Sequence, residues 1–230
     1  VGIRYKPLSF LAIKANGGRS FRAPSFTELY LRQGLVVGNE ELTPERAWSV
    51  DGGVLLTLPY LAVEGAYYHR WAEDLIEYML VSGFQYKPYN VGTARVQGVE
   101  ATVRVRPLDI LGLSGAYTLT LARDATGLPN QDGNQIPGRP MHRLAARLDL
   151  RFSLVKLYGE YLYMSGNYLT QANTKLLDPR HILNVGLQLT PIEAVTLSFE
   201  AKNVLNDQVV DVRGFPLPGL LLFSTMAVEL

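Results

Sequence analysis

The 230-residue chain has 47% hydrophobic and only 19% charged residues, a net charge of +1, and no cysteine. The near-neutral balance gives no electrostatic footprint for nucleic acid, and without thiols there are no disulfides and no thiol chemistry. No window approaches the ~18 apolar residues of a membrane-crossing helix; membrane strands stay open, because each gives only a weak signal. The first residue is Val1 rather than methionine, so a processed or excised piece is expected.

In chain order, a first strand is expected over 8–17, followed by GGRSFRAPSFTELY, where Ser25 to Leu31 can form one helical turn. Strands are then expected over 46–58, 61–79 and 84–106. The last contains VEATVRVR, where Val99, Ala101, Val103 and Val105 alternate with Glu100, Thr102, Arg104 and Arg106. Further strands fall over 110–122, 143–152, 155–168, 181–190, 195–204 and 220–230. Leu144, Ala146, Leu148 and Leu150 oppose Arg147, Asp149 and Arg151, and Val195, Leu197 and Phe199 oppose Thr196, Ser198, Glu200 and Lys202. Successive strand side chains point to opposite faces, so this period of two means one apolar and one polar side.

Short links at Leu58–Tyr60, Pro107–Asp109, Ser153–Leu154 and Pro191–Glu193 alternate with longer ones over 18–45, 123–142, 169–180 and 205–219. A brief link is expected near Val81–Gly83. The pattern describes an all-β, antiparallel up-and-down meander with its short turns at one end, as in a transmembrane barrel of the outer-membrane type. A soluble β-sandwich binding module alternates in the same way. The strand lengths, the 13 tyrosines and the low charge favour the barrel. Tyr67, Trp71, Tyr161, Tyr163 and Tyr168 are candidates for an interfacial aromatic girdle.

Several segments resemble TonB-dependent outer-membrane receptors. Arg22-Ala23-Pro24 with Glu28-Leu29-Tyr30 is similar to that family's "RAPSF-ELY", and Gly38-Asn39, Leu42 and Pro44-Glu45 to its "GN-L-PE". Tyr89-Asn90-Val91-Gly92 with Gly98-Val99-Glu100 resembles "Y-N-G … GVE". Ile136-Pro137-Gly138-Arg139-Pro140 with His142-Arg143 resembles its proline-marked strand entry, and Lys202-Asn203-Val204-Leu205-Asn206-Asp207 with Pro218-Gly219 its last loop. Leu220 stands where the family often has arginine, and the chain ends in Glu229-Leu230 without the common terminal aromatic.

The resemblance implies that residues 1–230 are the C-terminal portion of a plugged barrel of about 22 strands, about ten of them present. The plug and N-terminal strands would lie outside this sequence. It also implies a Gram-negative outer membrane, a TonB-type energy-coupling protein acting through the plug, surrounding outer-membrane lipid, and a small nutrient or metal-chelate ligand such as an iron–siderophore or cobalamin. Arg19, Arg22, Pro24, Glu28, Tyr30, Asn39, Pro44, Glu45, Asn90, Gly98, Glu100 and Asn203 are expected to be structural or plug-facing, with Arg19 and Arg22 turned to the lumen or plug. No cofactor, metal site or catalytic grouping is expected: His69, His142 and His181 are isolated, without a metal-ligand spacing. A ten-stranded outer-membrane protease remains an alternative, for which Asp124, Asp132 and His142 would have to gather at the external rim.

Overall fold

The computed structural model describes residues 1–81, 85–208, 210–212 and 215–229. The link expected at Val81–Gly83, the first residue of the 84–106 strand, part of the 205–219 loop and Leu230 lie wholly or partly outside the described residues.

The chain forms β1 (Gly2–Leu8), β2 (Leu11–Arg22), helix α1 (Phe26–Tyr30), the two-residue pieces β3 (Arg32–Gln33) and β4 (Val36–Val37), and β5 (Glu45–Thr57). There follow β6 (Leu61–Val81), β7 (Gln85–Leu108), β8 (Leu111–Asp124), β9 (His142–Arg151), β10 (Val155–Met164), β11 (Arg180–Ile192) and β12 (Val195–Lys202). The last loop carries β13 (Val210–Val212) and β14 (Phe215–Pro216), and β15 (Leu221–Val228) ends the sheet.

One antiparallel path runs β1-β2-β5-β6-β7-β8-β9-β10-β11-β12-β15, so long strands neighbouring in sequence are neighbours in space. All ten expected strands are present, and an eleventh, β1, precedes them. The 8–17 expectation merged two strands across a turn at Ser9–Phe10. Pro7 obscured β1, since proline cannot donate to a ladder and is confined to edges; β1 is such an edge.

β6 and β7 are 21 and 24 residues long, well beyond the roughly ten a tilted membrane strand needs. Their hairpin therefore rises past its neighbours at the long-loop end. A register shift at Glu73–Asp74, with Asp74 at φ 57°, marks where it leaves the sheet. β4 joins the hairpin in parallel, Val36 opposite Tyr86.

Register fixes the two faces. Leu113–Leu148, Tyr117–Leu144, Leu150–Leu157 and Leu187–Phe199 are cross-strand pairs on one apolar face. Arg104–Ser114, Arg147–Glu160 and Glu160–Asn184 are pairs on the other. The apolar face is left exposed rather than packed against a second layer, with Leu113, Leu148 and Phe199 each 40–46% accessible. This inverts the usual arrangement of a soluble domain and suits hydrocarbon outside and polar groups within. Tyr67, Trp71, Tyr161 and Tyr163 lie on the apolar face by register; Tyr168 instead bridges Leu176 within a loop.

Candidate functional site

The family-like segments converge at the long-loop end, where they tie the bases of loops to strands. Arg22, the last residue of β2, is the hub. Its Nε and Nη2 donate to Glu45 at 2.8 and 2.5 Å, and its Nη1 and Nη2 to Glu28 at 3.0 and 3.1 Å. One planar guanidinium fork thus spans two carboxylates, geometry that an ammonium cannot reproduce. Glu45 also accepts the Ile76 amide at 3.0 Å, carrying the link from β2 through β5 to β6.

Local chemistry places Glu28. Pro24 cannot donate a hydrogen bond and holds Ala23 extended, which ends the strand. Ser25 then caps α1: its hydroxyl accepts the Glu28 amide at 3.2 Å while Glu28 accepts from the Ser25 amide at 2.7 Å. This reciprocal capping box presents the carboxylate to Arg22. The Arg22 hydrogen bonds outweigh burial and hold the Glu28 carboxyl down at about 2. Tyr30 closes the turn against Phe26, with ring centroids 5.8 Å apart.

Asn39 is buried; its Nδ2 donates to the Pro88 carbonyl at 2.9 Å, and its amide donates to the Glu28 carbonyl at 2.8 Å. Pro44 restricts Thr43 to extended geometry. Thr43 so held meets the Asn90 side chain with both backbone groups, each at 2.8 Å, and Asn90 also donates to the Asp74 carbonyl at 2.7 Å. Asn203, at φ 53°, accepts the Asp207 amide at 3.0 Å and donates to the Asp207 and Pro218 carbonyls at 3.0 and 3.2 Å. Its own amide reaches Asn184 on β11 at 3.0 Å.

Gly98 is buried on the polar face against Tyr68. Glu100 is exposed on that same face, between Ala66 and Thr118 in register, and its carboxylate has no partner among the described residues. Arg19 departs from expectation. It sits opposite Trp48 on the apolar face, 6.0 Å above that ring, while Arg22 lies on the polar face. The two arginines are three residues apart, an odd spacing that puts them on opposite sides of a strand.

A second network, missed at the sequence level, locks the loops to one another and to the β6–β7 hairpin. Gln135 and Asn173 exchange amide-to-backbone hydrogen bonds at 2.8 Å each, and Gln171 donates to Glu77 at 2.7 Å. Turn-rich composition marked these stretches as loops but carries no information about which loop faces which. Lower on the polar face, Arg147 pairs with Asp149 at 3.0 Å and lies 4.0 Å over the Tyr158 ring, whose hydroxyl donates to Glu200 at 3.0 Å. These residues line a concavity of about 440 Å3.

The residues weighed for a protease do not gather. Asp124 accepts from Thr126 and Asp132 from the Gly127 amide, both turn roles. His142 lies on the apolar face with its Nδ1 at 2.8 Å from the Tyr117 hydroxyl. Among the described residues, no group of three His, Cys, Asp or Glu side chains could hold a metal.

The family model described as TonB dependent receptor-like, beta-barrel matches residues 1–204. The vitamin B12 transporter BtuB of Vibrio vulnificus (strain YJ016) is 29% identical over 101 residues, covering 44% of this chain and 16% of that protein. Among solved structures, a mutant ferric enterobactin receptor of Pseudomonas aeruginosa superposes with a TM-score of 0.79 at 17% identity, over 99% of this chain and 39% of its own. The copper transporter OprC gives 0.81 at 14% identity, over 99% and 38%. The FrpB iron transporter of Neisseria meningitidis gives 0.75 at 15% identity, over 98% and 38%. These identities establish a shared fold, and the chain spans about two fifths of the length of the structures it matches.

Proposed function

The chain belongs to the TonB-dependent receptor family of the Gram-negative outer membrane, and from that premise we propose that it is the C-terminal portion of a plugged barrel that imports a scarce nutrient. One feature supports the portion. The sheet has two free edges, β1 and β15, and unpaired backbone groups are not viable in hydrocarbon. Further strands of the whole protein would cover them.

The observation that carries the transport reading is the polarity of the sheet. Its links are short at one end, and at the other its loops fasten to one another through Asn173–Gln135 and to the β6–β7 hairpin through Gln171–Glu77. The family motifs serve as loop anchors at that end, through Arg22, Glu28, Glu45, Asn39, Asn90 and Asn203. Loops fixed on a rigid wall are suited to capture. The cargo we propose is a small nutrient complex: an iron–siderophore, cobalamin or another metal chelate. The reading is non-enzymatic.

A plugged barrel is not a free diffusion path, and binding energy alone cannot accumulate a solute. Release therefore needs an energised periplasmic partner of the TonB type that moves the plug. Glu100, inward and unpaired, is the family-motif residue we assign to the plug side; Arg22, saturated by two carboxylates, is assigned to loop architecture.

Uptake by cells carrying the complete gene tests the reading, with iron chelates, cobalamin and oligosaccharides, with and without the coupling protein. Accumulation of one ligand that vanishes without coupling supports it. Equal, coupling-independent entry of many solutes overturns it in favour of a porin.

A further inference from the structure

On the apolar face, one row of the sheet breaks the hydrocarbon pattern. Arg19 pairs in register with Trp48, Trp48 with Trp71, Trp71 with Arg95, and Arg95 with Arg123. These five residues lie on five adjacent strands and share one side of the pleat. All five are exposed, Trp48 at 58% and Trp71 at 39%. Arg19 and Arg123 lie within three residues of the long-loop ends of β2 and β8, so the row borders the outer half of the membrane. Directly below it Val50 and Leu121 flank His69, which stacks on Trp71, and Gln97; the next row down is apolar through Tyr67, Val99 and Leu119.

The charges in this row are not internally balanced. Among the described residues Arg19 stands only over the Trp48 ring, 6.0 Å from its centroid, Arg95 has no partner, and Arg123 donates to the Gly133 carbonyl at 3.1 Å. Of the nearby acids, Asp74 faces Arg46 at 3.9 Å, and Glu73 stands opposite Arg46 in register, one row above Trp71. Arg95 and Arg123 are direct cross-strand partners, a like-charge placement that costs free energy unless an anion lies between them. Guanidinium forks suit phosphate, and tryptophan prefers the boundary between headgroups and acyl chains.

We propose that the row Arg19–Trp48–Trp71–Arg95–Arg123 docks a phosphorylated lipid of the outer leaflet. The arginines hold its phosphate, the two indoles lie at the headgroup boundary, and its acyl chains run down the apolar rows beneath. The occupant is a lipid rather than free phosphate because the cationic row is continuous with that acyl-facing surface. The proposal rests on the outer-membrane reading and not on any cargo.

The test uses the full-length protein in neutral phosphatidylcholine vesicles, with or without added phosphatidic acid, whose phosphate is uncapped. Protease protection reports insertion separately, so a failure of membrane placement is seen as such. Lipid retained through detergent extraction is counted by native mass spectrometry. The wild type should retain phosphatidic acid in preference to phosphatidylcholine, and retention should fall about five-fold for each of Arg19→Gln, Arg95→Gln and Arg123→Gln. The inward Arg104→Gln should leave it unchanged. If a combined variant fails to fold, the single variants carry the comparison. Quenching of Trp48 and Trp71 by brominated phosphatidic acid, above that by brominated phosphatidylcholine, reads the same site without substitution. Equal retention of both lipids, undiminished retention in the three variants, or full competition by inorganic phosphate would overturn the proposal.

Discussion

The Tyr68 ring lies across Gly98, and its hydroxyl reaches the Thr120 side chain at 2.9 Å. A Cβ at position 98 would press on the Leu119 carbonyl and come within 2.6 Å of the Tyr68 hydroxyl. Three strands are thereby stitched on the polar face by one aromatic side chain that needs a glycine beneath it. Gly98→Ala should lower stability by about 1–3 kcal/mol through overpacking. Gly98→Ala combined with Tyr68→Phe should cost less than the sum of the two single changes, read as unfolding midpoints of the reconstituted full-length barrel.

Arg22→Lys should behave as a loss of function in loop anchoring. A lysine keeps the charge but cannot serve Glu28 and Glu45 together, and charge-assisted hydrogen bonds are worth about 1.5–3 kcal/mol. Half of the Arg22 side chain is exposed, which puts the effect at the lower end of that range. Limited proteolysis within residues 31–44 should accelerate in Arg22→Lys, with the strand region still protected. An unchanged cleavage rate would show that the fork does not hold the loop.

The Glu28 carboxyl gives this anchor a pH signature. Its folded value of about 2 lies below the ordinary 4.5. The sign is that of a depressed carboxylate: its stabilisation is complete above 4.5 and lost as pH falls through about 2. Pepsin digestion at about pH 3 should therefore spare the α1 region in the wild type, where an ordinary carboxylate would already be protonated. Ser25→Ala, which removes the cap, should weaken this resistance by about 1 kcal/mol.

Asn90→Leu should release the base of the same loop by a different route. The amide of Asn90 answers two carbonyls and one backbone N–H at a partly exposed site, where a lost hydrogen bond costs about 0.5–1.5 kcal/mol. Hydrogen exchange at the Thr43 amide should rise sharply. Asn90→Asp, which keeps the acceptor and loses both donors, should fall between wild type and Asn90→Leu.

The alternation of Val99, Val103, Leu148 and Phe199 was enough to fix strands, faces and the order of the meander, because a period of two and hairpin connectivity are local properties. The helical turn over Ser25 to Leu31 was legible as well; its capping box was not read, although Ser25 and Glu28 stand at the required spacing. Arg19 shows where the reading stopped short. Its odd spacing from Arg22 already put the two on opposite faces, yet the family motif drew both arginines to one role. The pairing of Gln135 with Asn173 was not legible, since it depends on how two long loops meet. Glu77, which Gln171 reaches from 94 residues away, is a still longer-range case.

Direction along the sheet has a consequence for assembly. Neighbours in the eleven-membered path alternate, so β1 and β15 both run toward the short-link end. Two like-directed rims cannot join by an antiparallel ladder. For the same reason, a second copy in the same membrane orientation would offer β15 a rim of the wrong polarity. A ring that keeps the alternation must be completed by a segment with an odd number of strands. Such a segment would begin and end on strands running the other way, so counting arrows excludes a ring closed by two identical halves in one orientation.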